Sequence, residues 1–352
     1  MPNMAKKKAD IDSQILEFLL TTGDSSSSVI LAGLGEGVSL ATVKRSLQRL
    51  VSDQLVSSSG QGRATQYQIS KAYSLLYPVN MDGYFRKEID ERKIQKGFNH
   101  ELMQGVLPGI SLFNAVELEL LDSLHNQYKS NIAGVPSNEY NKELERLAID
   151  LSWKSSQIEG NTYSLLETER LLKEKETAAG KTRDEATMLL NHKEALDFII
   201  SHQDYLNPVS LSKIEDIHSI LIKELGVDRN IRKRRVGISG TNYVPLDNEH
   251  MIREAMEEMC ELINDRENVF EKALLSLVII SYIQPFSDGN KRTARIISNA
   301  ILMSHGYCPI SFRTVDSIDY KKAMLIFYEQ NNISAFKKIF IEQFEFAVNT
   351  YF

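Results

Sequence analysis

One short stretch of the sequence, Ile283–Arg295, groups residue types that could hold a phosphate group. It reads IQPFSDGNKRTAR, and its Ser-Asp-Gly-Asn segment has the composition of a turn. Pro285 marks the end of the apolar run before the turn, because proline cannot continue a helix without losing a hydrogen bond. We predict that the next helix begins near Asn290 or Lys291, which makes the backbone N–H groups from Gly289 onward an anion site.

The charged side chains beside this turn fit a nucleotide phosphate and its metal ion. Arg292 and Arg295 are three residues apart, so a helix places them on one face. The planar fork of arginine matches phosphate oxygens. Asp288 supplies the carboxylate that Mg2+ prefers together with water and substrate phosphate oxygens. These are the parts that phosphoryl or nucleotidyl transfer needs.

The stretch resembles the motif of the Fic family, His-Pro-Phe-x-(Asp/Glu)-Gly-Asn-(Gly/Lys)-Arg-x-x-Arg, at every defined position except the first. The resemblance implies a Fic-type helical bundle that moves AMP from ATP to a hydroxyl group of a target protein, with Mg2+ as the metal ion. It also implies roles for the site residues: Asp288 for the metal ion, Gly289 and Asn290 for the α- and β-phosphates, Lys291 among the nucleotide-binding residues, Arg292 for the phosphates, and Arg295 for the γ-phosphate.

The first motif position is where this sequence departs from the family. The family histidine is the general base that takes the proton of the target hydroxyl, and its pKa near neutrality suits that task. Gln284 stands in its place, and a carboxamide has no group that titrates usefully. Loss of a general base costs roughly 10²–10⁴-fold in rate. We therefore predict that transfer is impaired.

A second stretch, SSQIEGN from Ser155 to Asn161, resembles the inhibitory motif (Ser/Thr)-x-x-x-Glu-(Gly/Asn) of the same family. Its defined residues are Ser155 and Glu159, on a predicted helix over about 144–160 that precedes the core, as in one subclass. The resemblance implies that Glu159 pairs with Arg295 and blocks the γ-phosphate position. The alternative is that Glu159 is only a helix-end charge before a glycine C-cap at Gly160.

A third stretch, VGISGTNYVP over 236–245, is β-branched and rich in glycine, and it predicts a small β-hairpin. It resembles the flap of the Fic family, whose backbone positions the target. The resemblance places this function on Val236, Gly237, Ile238 and Ser239.

From Ser137 onward the apolar residues follow helical spacing almost throughout. The spacing predicts a mainly α fold, and the resemblance to the family implies that residues 137–352 form a Fic domain that includes the inhibitory helix. Residues 76–136 are charged and interrupted by proline and glycine, which predicts a connector or helical arm packed on its neighbours. The predicted helices of the Fic domain after the inhibitory helix cover 166–175, 183–202, 211–225, 248–264, 269–283, 291–304, 317–330 and 335–350.

Residues 1–75 form a separate α+β unit in the sequence. A helical pattern over 10–20 is followed by the short apolar helix SVILAGL and by the amphipathic helix SLATVKRSLQRLVSDQ, with Ser39 as its N-cap. Two short strands then flank a Gly-rich tip. This order is typical of a winged helix-turn-helix domain.

The charges of this unit do not identify the partner that it binds. It has eight basic and six acidic residues, a net charge of only +2. One interpretation is duplex DNA binding, with Lys44, Arg45 and Arg49 on the polar face of the second long helix and Arg63 at the wing tip. The other is a dimerisation or protein-contact domain whose charges are simply solvated.

The bulk composition excludes several protein classes. A formal net charge of −6 and a pI of about 5.8 exclude a basic nucleic-acid coat protein. Cys260 and Cys308 lie far apart without metal-ligand spacing, which argues against a disulfide framework and favours a reducing compartment. No apolar run reaches the roughly 20 residues that a bilayer requires, and no signal peptide is evident. We expect a cytoplasmic protein without membrane contact.

Three function classes remain. The first is an enzyme: an adenylyltransferase inhibited by Glu159 and impaired at Gln284, or a hydrolase that removes AMP from a modified protein with Glu159 positioning the water. The second is an ATP-sensing pseudoenzyme that regulates transcription through the winged helix. The third is an assembly scaffold, which explains the acid and the two arginines poorly. The sequence leaves open the target protein, the nucleotide, the DNA site and the oligomeric state, a homodimer included.

Overall fold

The N-terminal part of the chain forms a small unit with its own apolar core. The computed structural model describes residues 2–35 and 37–352, apart from the side chains of residues 2–10 and 63. Strands β1 and β2 pair antiparallel, with Val56 opposite Ile69 and Ser59 opposite Gln66. The elements follow the predicted order of helices and hairpin: α1 (Pro2–Thr22), α2 (Ser27–Leu34), α3 (Leu40–Ser52), β1 (Val56–Ser59) and β2 (Gln66–Ile69).

The rest of the described chain is helical and irregular. Short helical turns lie at Ile89–Glu91, Leu102–Val106 and Leu107–Gly109. The α-helices are α4 (Tyr73–Leu76), α5 (Met81–Phe85), α6 (Ala115–Ile132), α7 (Ser137–Ile158), α8 (Leu165–Glu174), α9 (Arg183–Ser201), α10 (Leu211–Leu221), α11 (Glu249–Asp265), α12 (Val269–Ile283), α13 (Asn290–Ser304), α14 (Ser317–Gln330) and α15 (Ser334–Tyr351).

One apolar core extends from Ala72 to Tyr351, and α12 lies at its centre. Almost every residue of α12 is buried, which is the expected environment of a helix that is apolar on all sides. Helix α13 packs along α12 after the turn between them. The turn between α12 and α13 therefore joins two buried helices, which fix its position.

Residues from the segment 76–136 contribute to the same core. Leu102, Leu107 and Phe113 are buried against the helices of the C-terminal part. The segment also contacts the N-terminal unit, because the side-chain amide of Gln54 donates to Ser111 O at 2.8 Å and accepts from Ser111 N at 2.9 Å. The two units are thus joined by a hydrogen-bonded contact as well as by the chain itself.

The β-hairpin predicted at 236–245 does not form, and the segment is irregular. Two of its backbone N–H groups bond to a distant carbonyl group and to a side-chain hydroxyl, not to backbone carbonyl groups of the segment. Val244 N donates to Lys96 O at 2.8 Å, and Tyr243 N donates to Thr241 Oγ1 at 3.0 Å. Pro245 has no N–H group to add to a ladder. The prediction of a hairpin was therefore wrong, because β-branched composition alone does not supply a partner strand.

In the described part of the chain, no helix combines the length and the apolar character needed to span a bilayer.

Candidate functional site

The turn between α12 and α13 is held by its apolar and backbone contacts. Gln284 caps α12 in the left-handed conformation, with φ 53° and ψ 59°. Its backbone carbonyl accepts a hydrogen bond from Arg232 Nε at 2.6 Å. Phe286 is fully buried, and its ring stacks on His218 with centroids 3.6 Å apart. The turn therefore has one defined course from the end of α12 to the start of α13.

Gly289 is required where this turn enters α13. Its φ is +79°, and a Cβ atom there would lie 3.2 Å from His218 Cε1 and 3.3 Å from Ile222 Cγ2. Backbone conformation and space both favour glycine at this position. Helix α13 begins at Asn290, so its first N–H groups have no partner within the helix.

The two predicted phosphate arginines are buried. Arg292 is 1% exposed and Arg295 is 0% exposed. Arg292 Nη2 donates to Asp288 Oδ2 at 3.1 Å, but Arg292 Nε and Nη1 and Arg295 Nη1 find no hydrogen-bond partner among the described residues. Buried guanidinium donors without partners cost free energy of folding. An anion that reaches these donors would satisfy them.

The predicted inhibitory residues contact Arg295 directly. Arg295 Nε donates to Ser155 Oγ at 2.8 Å, and Arg295 Nη2 donates to Ser155 O at 3.0 Å. The same Nη2 donates to Glu159 Oε1 at 2.9 Å. A third group takes part, because Lys291 Nζ donates to Glu159 Oε2 at 3.1 Å. Each carboxylate oxygen of Glu159 thus faces one cation.

The electrostatics of Glu159 follow from these contacts. Burial alone would raise the pKa of the Glu159 carboxyl, but Arg295 and Lys291 lower that pKa to about 2. Glu159 lies just past the last residue of α7, where the helix dipole disfavours a negative charge. The two cations therefore hold a carboxylate at a helix end that would otherwise repel it.

A cavity of about 390 Å³ lies in front of these groups. It is lined by residues from the turn, from the end of α7 and from the predicted flap. Arg292 and Arg295 do not line it, whereas the carboxylates that contact them, Asp288 and Glu159, do. The residues that line it are Ile158, Glu159, Val236, Gly237, Ile238, Ser239, Gln284, Ser287, Asp288, Gly289, Asn290, Lys291, Lys321, Met324, Leu325 and Tyr328.

None of the described residues that line this cavity is a histidine. Gln284 lines it and is 9% exposed, but its side chain is hydrogen-bonded to Ser281 O and Asn290. His218 lies beneath the turn, where burial lowers its pKa to about 4. His218 is absent from the cavity wall, so it is a packing residue for Phe286 and Gly289.

Asp288 is suited to a metal ion that arrives with a phosphate. Its side chain is 64% exposed, and its Oδ1 accepts a hydrogen bond from Gly289 N at 2.6 Å. Within the described residues, no group of three or more His, Cys, Asp or Glu side chains could hold a metal ion by itself. A single exposed carboxylate fits Mg2+, which takes its other ligands from water and substrate phosphates.

Two contributors to the site were not predicted. Helix α14 adds Lys321, Leu325 and Tyr328 to the cavity wall, and their spacing of four and three residues places them on one helix face. Arg232 holds the turn from outside, because its guanidinium donates to Gln284 O, Arg234 O and Leu246 O. The helical spacing in α14 was visible in the sequence, but which face meets the cavity was not.

The predicted DNA-binding residues on α3 differ in their contacts. Lys44 and Arg45 are exposed on α3. Arg49 is instead paired with Asp12 of α1, with its Nε donating to Asp12 Oδ2 at 2.9 Å. Arg49 therefore already has a partner within the unit, and its contact with DNA stays a prediction. The side chain of Arg63 lies outside the described residues.

Residues 208–302 match the family model described as the Fic/DOC family. This segment includes α12, the turn and most of α13. The chain contains a Fic domain. Helix α7, with Ser155 and Glu159, lies outside the matched residues. The inhibitory role of these two residues therefore stays a prediction.

Curated relatives of the Fic domain are named protein adenylyltransferases. The protein adenylyltransferase Fic of Nematostella vectensis is 29% identical over 223 residues, which is 62% of this chain and 51% of that protein. The protein adenylyltransferase fic-1 of Caenorhabditis elegans is 26% identical over 160 residues, 44% of this chain and 31% of that protein. The match therefore spans about half or less of the length of these relatives.

Solved structures show the same fold. A Fic domain containing signaling protein of Bacteroides thetaiotaomicron superposes with a TM-score of 0.57 at 20% identity, covering 65% of this chain and 94% of that chain. Fic-1 of Caenorhabditis elegans superposes with a TM-score of 0.57 at 20% identity, covering 67% of this chain and 71% of that chain. At this identity the likeness concerns the fold.

Proposed function

We propose that this Fic domain binds ATP with Mg2+ in the cavity beside α13, and that Glu159 opposes this binding. One observation carries the proposal: the Glu159 carboxylate already occupies a cationic position between Arg295 and Lys291. A carboxylate and a phosphate compete for the same arginine fork. The position that holds the protein's own anion is therefore the position for a ligand phosphate.

The remaining phosphate contacts come from the start of α13 and from Arg292. Backbone N–H groups at a helix N-terminus bind anions, and Arg292 has two donors without partners among the described residues. Asp288 would hold Mg2+, which neutralises phosphate charge when it is bound. The flap residues Val236–Ser239 would meet a target protein at the open side of the cavity.

Transfer of AMP to a protein hydroxyl is impaired in this proposal. The attacking hydroxyl must lose a proton, and Gln284 cannot accept one. The proposed function is thus that of an autoinhibited, ATP-binding adenylyltransferase-like protein with slow or absent transfer.

The test combines binding and transfer with one set of variants. Affinity for ATP with Mg2+ is measured by calorimetry for the native protein and for Glu159→Gly. Transfer of labelled AMP to the protein itself and to a lysate is measured for Glu159→Gly with and without Gln284→His. Glu143→Gly is the matched control, because Glu143 lies on the same helix in an exposed pair with Arg146.

We expect Glu159→Gly to bind ATP about tenfold more tightly than the native protein, because a charged competitor for Arg295 is removed. We expect labelling only when Gln284→His is added. Labelling by Glu159→Gly alone would show that Gln284 is no barrier to transfer. Absence of ATP binding in every variant would overturn the proposal.

A second candidate function is that of an ATP-responsive transcriptional regulator. It is favoured by a chain of contacts that joins the N-terminal unit to α12. Gln54, just after α3, bonds to Ser111, and Ser111 Oγ donates to Glu271 Oε1 at 2.8 Å in the first turn of α12. The other end of α12 is Gln284. Duplex binding by the full chain, measured with and without ATP, tests this candidate, and an affinity unchanged by ATP would contradict it.

A further inference from the structure

Gln284 belongs to a chain of amide hydrogen bonds that closes the turn from inside. Gln284 Nε2 donates to Ser281 O at 2.7 Å. Gln284 Oε1 accepts from Asn290 Nδ2 at 2.9 Å. The Asn290 side chain also bonds to the backbone of Phe286. It accepts a hydrogen bond from Phe286 N at 2.8 Å and donates one to Phe286 O at 2.9 Å.

The orientation of both amide groups is fixed by their backbone partners. Ser281 O can only accept, so the NH2 end of Gln284 must face it and the oxygen end must face Asn290. Phe286 N can only donate, so the oxygen of Asn290 must face it and the NH2 group must face Gln284 and Phe286 O. No flip of either amide keeps all four hydrogen bonds.

This series of hydrogen bonds uses both hydrogens of Asn290 Nδ2. One goes to Gln284 Oε1 and the other to Phe286 O. The Asn290 side chain therefore has no amide hydrogen left for a phosphate oxygen. The groups of the turn that remain for a phosphate are backbone N–H groups at the start of α13.

We propose that Gln284 is a positioning residue that locks Asn290 into the turn and so holds the backbone N–H groups of α13 in place for phosphate. The residue at the position of the family base thus has a function of its own in ligand binding. Histidine has one donor and one acceptor on a rigid ring, whereas the longer, jointed glutamine side chain reaches both Ser281 O and Asn290. The inference rests on the proposed function, because it concerns how the same site holds ATP.

The test is a double-mutant cycle on ATP affinity. Gln284→Ala, Asn290→Ala and the double variant are made in the Glu159→Gly protein, in which the competing carboxylate is gone. Each single substitution leaves a buried polar partner unsatisfied, so we expect each to weaken binding of ATP with Mg2+ by about tenfold. Because the two residues act as one unit, we expect the double variant to bind no more weakly than Asn290→Ala alone.

A conservative variant separates positioning from general damage to the fold. Gln284→Glu carries a neutral carboxylic acid at low pH, which can donate to Ser281 O and accept from Asn290 as the amide does. When it ionises, an oxygen faces Ser281 O without a hydrogen. We expect its ATP affinity, relative to the Glu159→Gly parent at the same pH, to recover as pH falls from 8 to 5. Gln343→Ala removes a buried glutamine bonded to Thr314 Oγ1, away from the turn, and serves as the control.

The results of these measurements separate the inference about Gln284 from the proposed function. Coupled effects of Gln284→Ala and Asn290→Ala, with recovery of Gln284→Glu at low pH, support the inference. Additive effects, or ATP affinity unchanged by Gln284→Ala, overturn it while leaving the proposed function in place. If the Glu159→Gly parent binds no ATP, the proposed function fails and the positioning of phosphate by Gln284 fails with it.

Discussion

Two regions of the molecule carry candidate cations for a ligand, and they hold them in different ways. At the start of α13, Arg292 and Arg295 are buried, and three of their N–H groups have no partner among the described residues. On α3, Lys44 and Arg45 are exposed to solvent, and Arg49 is paired with Asp12. The first arrangement costs free energy in the absence of an anion, and the second does not.

This difference shows which positively charged side chains indicate a ligand site. A solvated lysine or arginine is satisfied by water, so its position alone demands no ligand. A buried guanidinium with unused donors is tolerated only where something compensates it. The cavity beside α13 is the better-supported ligand site, because Asp288 and Glu159, which contact these arginines, line it. The exposed cations of α3 do not by themselves indicate a ligand.

The largest expected effect is at Arg292. We expect Arg292→Ala in the Glu159→Gly protein to weaken binding of ATP with Mg2+ by about 100-fold or more, because two charge-assisted hydrogen bonds are lost. We expect thermal stability to be unchanged or raised, since the substitution removes a buried charge with unmet donors. Calorimetry and thermal unfolding give the two values.

Arg183→Ala is the control for Arg292→Ala, since Arg183 is an exposed arginine paired with Glu224. If Arg292→Ala lowers the thermal stability of the protein as well as its affinity for ATP, Arg292 is a structural residue. The contrast between Arg292 and the exposed cations of α3 would then fail.

An intermediate effect is expected from the titration of Glu159. Its pKa in the folded protein is lowered to about 2 from a usual value of 4.5, so the ionised form stabilises the fold above pH 4.5. That contribution, on the order of 3 kcal/mol, should be lost as pH falls from about 4.5 to 2. The difference in free energy of unfolding between the native protein and Glu159→Gln should shrink over this range, as denaturant titrations at successive pH values would reveal.

A difference that stays constant from pH 5 to pH 2 would mean that Glu159 is not held as an ion by Arg295 and Lys291. Glu143→Gln, on the same helix in a partly exposed pair with Arg146, is the matched control.

The smallest effect is expected on α3. We expect Lys44→Ala and Arg45→Ala each to lower affinity for duplex DNA by a few-fold and to reduce the salt slope by about one unit, as loss of one phosphate contact does. Arg49→Ala should change affinity less, because Asp12 already holds that side chain. Fluorescence anisotropy across salt concentrations measures this, and equal effects from all three would contradict the distinction.

Local sequence patterns were sufficient to predict the bounds of the helices α12 and α14 beside the site. Helix α12 was predicted over 269–283, and it occupies Val269–Ile283 because its largely apolar sequence is followed closely by Pro285, which cannot continue the helix. Helix α14 was likewise predicted over 317–330, where Asp316 caps its first turn. In both cases the start and stop signals are residues adjacent to the helix, so no distant contact is needed to read them.

The hairpin at 236–245 could not be predicted correctly from its composition. Whether Val244 pairs within the segment or with Lys96 depends on a piece of chain about 150 residues away, which the local sequence does not encode. The contact of Lys291 with Glu159 was missed for the same reason, since it joins α13 to the end of α7.

By itself, the sequence determined the Fic-like motif, the departure at Gln284, and the pairing candidates Glu159 and Arg295, because these depend on residue type and short-range spacing. Only the tertiary structure decided that Asp288 and Glu159 stand between the buried arginines and the cavity. It alone decided that the amide of Gln284 is bound to Asn290. The physical reason is that hydrogen-bond partners are chosen by the packing of α7, α12 and α13, which brings together groups that the chain keeps far apart.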